Sequence, residues 1–192
     1  MAAPDYVVIN EVQITGGAGH SNDDFIELFN PTPDPVDLDG YRLVKRTATG
    51  SADTNIKSWT TSTIIPAYGF YLWANSDYTG ISVTPDTTTS QSLADNNGIA
   101  LRQGPADTGT IIDSVAWGTA SNEFVEGAAY PENPPDNQSL KRKVPSLGSR
   151  EDTQDNVQDF SLQTSPTPQT TASPAEVPDG GGGGLWCRRS LK

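Results

Sequence analysis

The chain holds one cysteine, one histidine and one methionine in 192 residues. A single thiol, Cys187, forms no intramolecular disulfide, which excludes an antibody-type sandwich with its inter-sheet bridge. A single histidine, His20, removes most Ser-His-Asp arrangements and the usual zinc sites, which need several His or Cys ligands. Within its glycine-rich loop His20 reads as a solvated residue and not a ligand. No stretch approaches the ~20 apolar residues of a membrane span, and none sustains a helical period. Phosphate-binding loops, dinucleotide fingerprints and nucleophile elbows are also missing; Gly16-Gly17-Ala18-Gly19 leads into no helix whose amino end could hold a phosphate. No signal peptide is present in this chain. Met1-Ala2-Ala3-Pro4 reads either as the remnant of a removed leader or as a short polar start.

What is present is turn-forming. Apolar residues make up only 34% of the chain, against 18 Gly and 15 Pro, so short strands joined by frequent turns are expected. Candidate strands cover 6–14, 24–30, 41–45, 54–59, 69–74, 98–103, 111–117, 139–143 and 160–162, with Pro-, Gly- and Asn-rich turns between them. Asp39-Gly40 and Asn97-Gly98 are candidate two-residue turns. The polar, Thr-rich stretch 77–95 is expected to be an excursion over one end. The formal net charge is −12, and three of the 12 cationic residues, Arg188, Arg189 and Lys192, lie at the extreme carboxyl end, so the body is more acidic still. Such a surface repels phosphate backbones and anionic bilayers, so no direct nucleic-acid partner is expected. The basic clusters Arg42, Lys45, Arg46 and Lys141, Arg142, Lys143 read as solvated strand ends.

The order of the strand motifs carries a resemblance. Ile9-Asn10-Glu11-Val12, then Phe25-Ile26-Glu27-Leu28-Phe29-Asn30-Pro31-Thr32, then Val36-Asp37-Leu38-Asp39-Gly40-Tyr41-Arg42-Leu43 resemble the opening of a lamin tail domain. Ile65-Pro66-Ala67-Tyr68-Gly69-Phe70-Tyr71-Leu72-Trp73, Asn97 to Arg102, Ile112 to Gly118 and the segment from Lys141 to Phe160 follow in the family's order. The resemblance implies an all-β, immunoglobulin-like β-sandwich of two antiparallel sheets, with no known active site. It implies a non-catalytic binding or scaffolding module making protein or cell-surface contacts. The alternative is a carbohydrate- or envelope-binding accessory domain of a larger secreted hydrolase such as a nuclease.

Three features bear on chemistry. Glu11 and Glu27 sit on adjacent strands and could supply a glycosidase pair, against a reading in which each is a strand Glu paired with Arg42 or Lys45. Trp59, Trp73 and Trp117 lie on strands, where core packing competes with a role as sugar-stacking platforms. Calcium is the one metal considered: Asp152, Asp155 and Asp159 offer hard oxygens on a loop, as do Ser21 to Asp24 and Asp95 to Asn97, although the EF-hand order is absent. Turn-forming Asp and Asn residues that cap their own backbone explain the same side chains.

The expected organisation is a start at 1–4, a sandwich over 5–165, and a disordered Ser/Thr/Pro- and Gly-rich tail over 166–192. The loop composition and acidic body point to an extracellular or cell-surface prokaryotic protein. Its expected partner is a protein or cell-envelope component, including polysaccharide.

Overall fold

The computed structural model describes residues 4–178; the first three residues of the start expected at 1–4, the glycine run and the basic end at 179–192 lie outside the described residues. The chain is built almost wholly of strands: β1 (Val8–Gln13), β2 (Phe25–Phe29), β3 (Val36–Asp37), β4 (Tyr41–Arg46), β5 (Thr54–Ser58), β6 (Ile64–Ile65), β7 (Phe70–Asn75), β8 (Thr87–Thr89), β9 (Gly98–Gln103), β10 (Thr110–Ala116), β11 (Ser139–Arg142) and β12 (Phe160–Gln163). One short helix, α1 (Asn156–Asp159), interrupts them just before β12.

Two sheets face each other. The six-stranded sheet runs β12-β11-β1-β2-β7-β8 and the four-stranded sheet β10-β9-β4-β5, with β3 and β6 forming a small ribbon. All pairings between named strands are antiparallel except β7 with β8. Between the sheets lies one apolar core, with Ile9, Val12, Ile26, Leu28, Tyr71, Trp73, Leu140 and Phe160 meeting Leu43, Ile56, Ile99, Leu101, Val115 and Trp117. Strict alternation would not send both Ile9 and Val12 inward. The register slips between Ile9 and Glu11, and this bulge resets the phase of β1.

Strand positions follow the sequence pattern closely, because each long strand carries alternating or continuous apolar residues. The short pieces β3, β6 and β8 and the helix were not expected; they are too short or too polar for any period to register. Stretch 77–95 also differs from expectation. Much of it folds onto the outer face of the six-stranded sheet, where Tyr78, Ile81 and Val83 pack on Phe25, Leu72 and Ala74, and only its last residues, Leu93 to Asp95, lie at an end of the sandwich. Part of it becomes β8. At Asn97-Gly98 the turn falls one residue early, and Asn96 carries the positive φ of 57°.

Part of the segment expected as a tail, residues 166–178, is among the described residues. Residues 166–178 lie against the outer face of the six-stranded sheet, with the Thr167 N–H donating to Glu11 at 3.1 Å and the Thr171 N–H to Asp86 at 3.1 Å. Composition speaks for a segment that buries little apolar surface, and this one does bury little. Carboxylates under its backbone hold it instead.

Candidate functional site

Buried charge concentrates in three places on the sandwich, and at one end the loops open a groove. The first charge cluster joins the two sheets. Asp113 on β10 and Arg142 on β11 are both fully buried, and Arg142 Nη2 lies 2.8 Å from each Asp113 carboxylate oxygen. Both groups also use the backbone of Ile9 beside the β1 bulge: its N–H donates to Asp113, and its carbonyl accepts from Arg142 Nε at 2.9 Å. The ion pair is thus stapled to a strand of each sheet. Arg142 further sits 4.5 Å over the ring of Phe160.

Around this pair stand Glu126, Asp152 and Asp159, the last two each with an oxygen 3.7 Å from Arg142 Nη1. Asp113, Glu126 and Asp152 bring one oxygen each within 4.8 Å of one another. Burial and then the neighbouring Asp113 charge push Glu126 well above the ordinary carboxylate range, against the pull of Arg142. Burial followed by its hydrogen bond to Asp152 pushes the Tyr6 hydroxyl up as well.

The residues expected to bind calcium divide here. Asp152 joins the cluster and accepts from Tyr6 and, at 3.0 Å, from Gln154 Nε2. Asp155 faces away and caps α1, accepting from the Val157 N–H at 3.0 Å and from Gln158 Nε2 at 2.9 Å. Asp159 folds back on its own loop, where both oxygens accept from the Thr153 N–H at 2.9 Å and one accepts its hydroxyl at 2.7 Å. Calcium needs six to eight oxygens converging on one point. These carboxylates instead point at N–H and O–H donors, and a guanidinium holds the position where a cation would sit, so the donor set does not fit the ion. Glu126 and Arg142, which complete the cluster, carried no signal in the sequence that linked them to it.

The second cluster lies on the four-stranded sheet. Arg46 and Arg102 share Asp53, each at 2.7 Å, and share Glu123 at 3.0 and 2.9 Å, and both guanidinium groups lie over the Phe124 ring. Arg46 and Arg142 are therefore buried and paired, not the solvated strand ends expected of the basic clusters. Arg42 donates to the Gly104 carbonyl at 2.6 Å and Lys45 to that of Ser92.

The third group is the strand pair Glu11 and Glu27, which are register partners on β1 and β2 and fully buried. Their expected partners, Arg42 and Lys45, lie on the other sheet. Glu11 instead meets Lys141 at 3.0 Å and accepts from Ser139 Oγ at 2.6 Å, while Glu27 accepts from Asn10. Residues 166–176 cover both carboxylates, so no sugar cleft opens onto them. Trp59, Trp73 and Trp117 are all core residues. His20 is exposed, with Nδ1 3.3 Å from Asp23.

The groove, of about 580 Å³, opens at the end of the sandwich where β1 finishes and β9 and β11 begin. Ile14, Leu93, Pro134 and Pro135 give it an apolar floor, with Asp95, Asn133 and Asp136 among its polar lining. Leu93 is positioned by its N–H donating to the buried Asp24 at 2.8 Å, and burial pushes that carboxyl up to about 7. The opposite wall is fixed by the Asn96 N–H donating to Asn133 at 2.8 Å and by Gly17, at φ 89°, where a Cβ would stand 2.7 Å from an Asp136 oxygen. That glycine is required for both conformation and space.

With this geometry in hand, known proteins give a family. The lamin tail domain model matches residues 1–119. The chain belongs to the lamin tail domain family. No curated protein matches the sequence. Among solved structures, the crystal structure of a DUF4876 family protein from Bacteroides thetaiotaomicron VPI-5482 aligns with a TM-score of 0.57 at 11% identity, covering 95% of this chain and 75% of that one. At that identity the likeness is one of fold. It extends over nearly all of this lamin tail domain protein, past residue 119 as well. Among the described residues no helix is long and apolar enough to cross a membrane.

Proposed function

We propose that the protein is a non-catalytic binding or scaffolding module of an extracellular or cell-surface setting, and that the groove between Ile14 and Asp136 receives a segment of a protein or cell-envelope partner. The observation that carries this reading is a contrast. The buried carboxylates of the three charge clusters already bond to donors within the fold, whereas the loop-end groove presents apolar floor and open polar rim together, the usual make-up of a recognition site. Asp95 and Asp136 at the rim, in a chain of net charge −12, favour a partner that brings cationic or amide donors. Burial of Trp59, Trp73 and Trp117 favours a protein ligand over a stacked sugar, since aromatic platforms for glycans must be exposed. Calcium has no part in this reading.

The test uses fluorescent full-length protein against a displayed library of random peptides and a panel of envelope polysaccharides, beside the double variant Asp95→Lys/Asp136→Lys. The reading expects basic peptides to be enriched and to lose at least tenfold in affinity on the variant, with its unfolding midpoint unchanged. Equal binding by both proteins would remove the groove from consideration. Selective, saturable polysaccharide binding would favour the accessory-domain alternative.

A further inference from the structure

The segment that follows β12 is held in an unusual way. It makes one turn, where the Ser173 N–H donates to the Thr170 carbonyl at 2.9 Å, and it adds no strand to the sheet: among the described residues its one backbone-to-backbone bond to the rest of the domain is from the Glu176 N–H to the Tyr68 carbonyl, at 2.8 Å. Side-chain carboxylates hold the rest. The Thr167 N–H donates to Glu11 on β1 at 3.1 Å, the Gln169 N–H to Glu27 on β2, and the Thr171 N–H to Asp86 at 3.1 Å. Asp86 in turn accepts from the Leu72 N–H of β7 at 2.8 Å. The segment therefore steps across β1, β2 and β7 and, from Thr167 to Thr171, meets a carboxylate with the N–H of every second residue.

The sequence of the segment matches that spacing. Pro166 and Pro168, which have no N–H, fall at the alternate positions where no acceptor waits, and they favour the extended backbone that presents the other N–H groups in line. Only Pro168 and Thr170 are buried; Thr164, Ser165 and Thr167 are exposed. Beneath, Glu11 and Glu27 are fully buried and adjacent, with Lys141 the cation in contact. Ser139 and Asn10 donate to them from within the sheet, and the N–H groups laid over them add to this compensation. Farther along, Glu176 meets Arg150 at 2.9 Å, and Arg150 lies 4.0 Å over the Phe29 ring.

We propose that the row Glu11, Glu27 and Asp86 is a binding site for peptides that carry two prolines two residues apart, read through the backbone N–H groups between and after them, and that residues 166–176 of this chain are its resident ligand. The same segment from a second copy is the partner the site fits, so exchange of these segments links copies of the chain. This site is separate from the loop-end groove and does not depend on it.

The test keeps the full chain. A protease site is inserted between the exposed Thr164 and Ser165, and the folded protein is cleaved. The tail is expected to remain with the body on gel filtration and to be displaced by a synthetic peptide of residues 164–178. The same peptide N-methylated at Thr167 and Gln169 is expected to compete roughly a hundredfold less well, since each blocked N–H leaves a buried carboxyl oxygen without its hydrogen bond. A body that loses its far-ultraviolet circular dichroism on cleavage would overturn the proposal, because the segment would then be an integral part of the fold. A tail that leaves a folded body, a tail that no added peptide exchanges, or an N-methylated peptide that competes equally would overturn it too.

Discussion

The two faces of the six-stranded sheet are both buried, by different physics. Its inner face presents Ile9, Val12, Ile26, Leu28, Trp73 and Leu140 to the opposite sheet, and burial of apolar area holds the two together without directional bonds. Its outer face mixes Val8, Phe29 and Phe70 with Glu11, Glu27, Asn10 and Ser139, and irregular chain covers it: stretch 77–86, Arg150 and residues 166–176. There the cover is attached one hydrogen bond at a time. A face closed by apolar contact is insensitive to pH and forms as a unit. A face closed over carboxylates depends on their protonation and can open by parts.

That contrast can be broken from either side. The largest effect is expected inside: Trp73→Ala, which empties a fully buried site, should cost about 3–5 kcal/mol, read as a fall in the denaturant midpoint with all probes moving together. Breaking the inter-sheet staple comes next. Arg142→Met leaves Asp113 buried without its cation and should cost a similar ~3–5 kcal/mol, with much of the loss recovered in the double variant Arg142→Met/Asp113→Asn. A smaller and local effect is expected outside. Arg150→Ala removes the contact with Glu176 and the guanidinium over Phe29, and should raise amide exchange at Thr167, Gln169 and Thr171 more than in β9.

The outer face should also respond to pH. Burial pushes Glu27 from 4.5 up to about 8, with Glu11 raising it further and Asn10, the Gln169 N–H and Lys141 opposing. The folded state therefore keeps a proton that the unfolded chain releases above about 4.5. This contribution to stability is complete below that pH and is lost as pH rises through 8. The buried Asp24, pushed up to about 7, acts in the same direction. Melting temperature should accordingly fall between pH 5 and pH 8.5, and Glu27→Gln should flatten that fall. The smallest expected effect is that of calcium: with the Asp152, Asp155 and Asp159 oxygens turned to donors, melting in EDTA and in millimolar calcium should coincide.

The long strands were legible because their physics is local and periodic. Phe25 to Phe29 and Phe70 to Asn75 read as strands from the residues alone, and they fall within about a residue of where they stand in the fold. Site chemistry was less legible. Asp152, Asp155 and Asp159 looked like one ligand group because they are close in sequence, yet three different sets of donors take them up. Conversely, Asp113, Arg142 and Asp152 are far apart in the chain, and only the stacking of β10 over β1 and β11 brings them together.

The amino-acid sequence by itself determined the class of the protein: an acidic, disulfide-free, turn-rich chain whose ordered motifs are those of a lamin tail domain. Alternation, turn chemistry and charge act between near neighbours, so they are written in the order of residues. Only the tertiary structure decided which carboxylates are buried, which cation each one meets, and that a Thr- and Pro-rich segment lies across Glu11 and Glu27. Those outcomes rest on pairing between strands distant in sequence, and a buried charge has no defined partner until the sheets have closed around it.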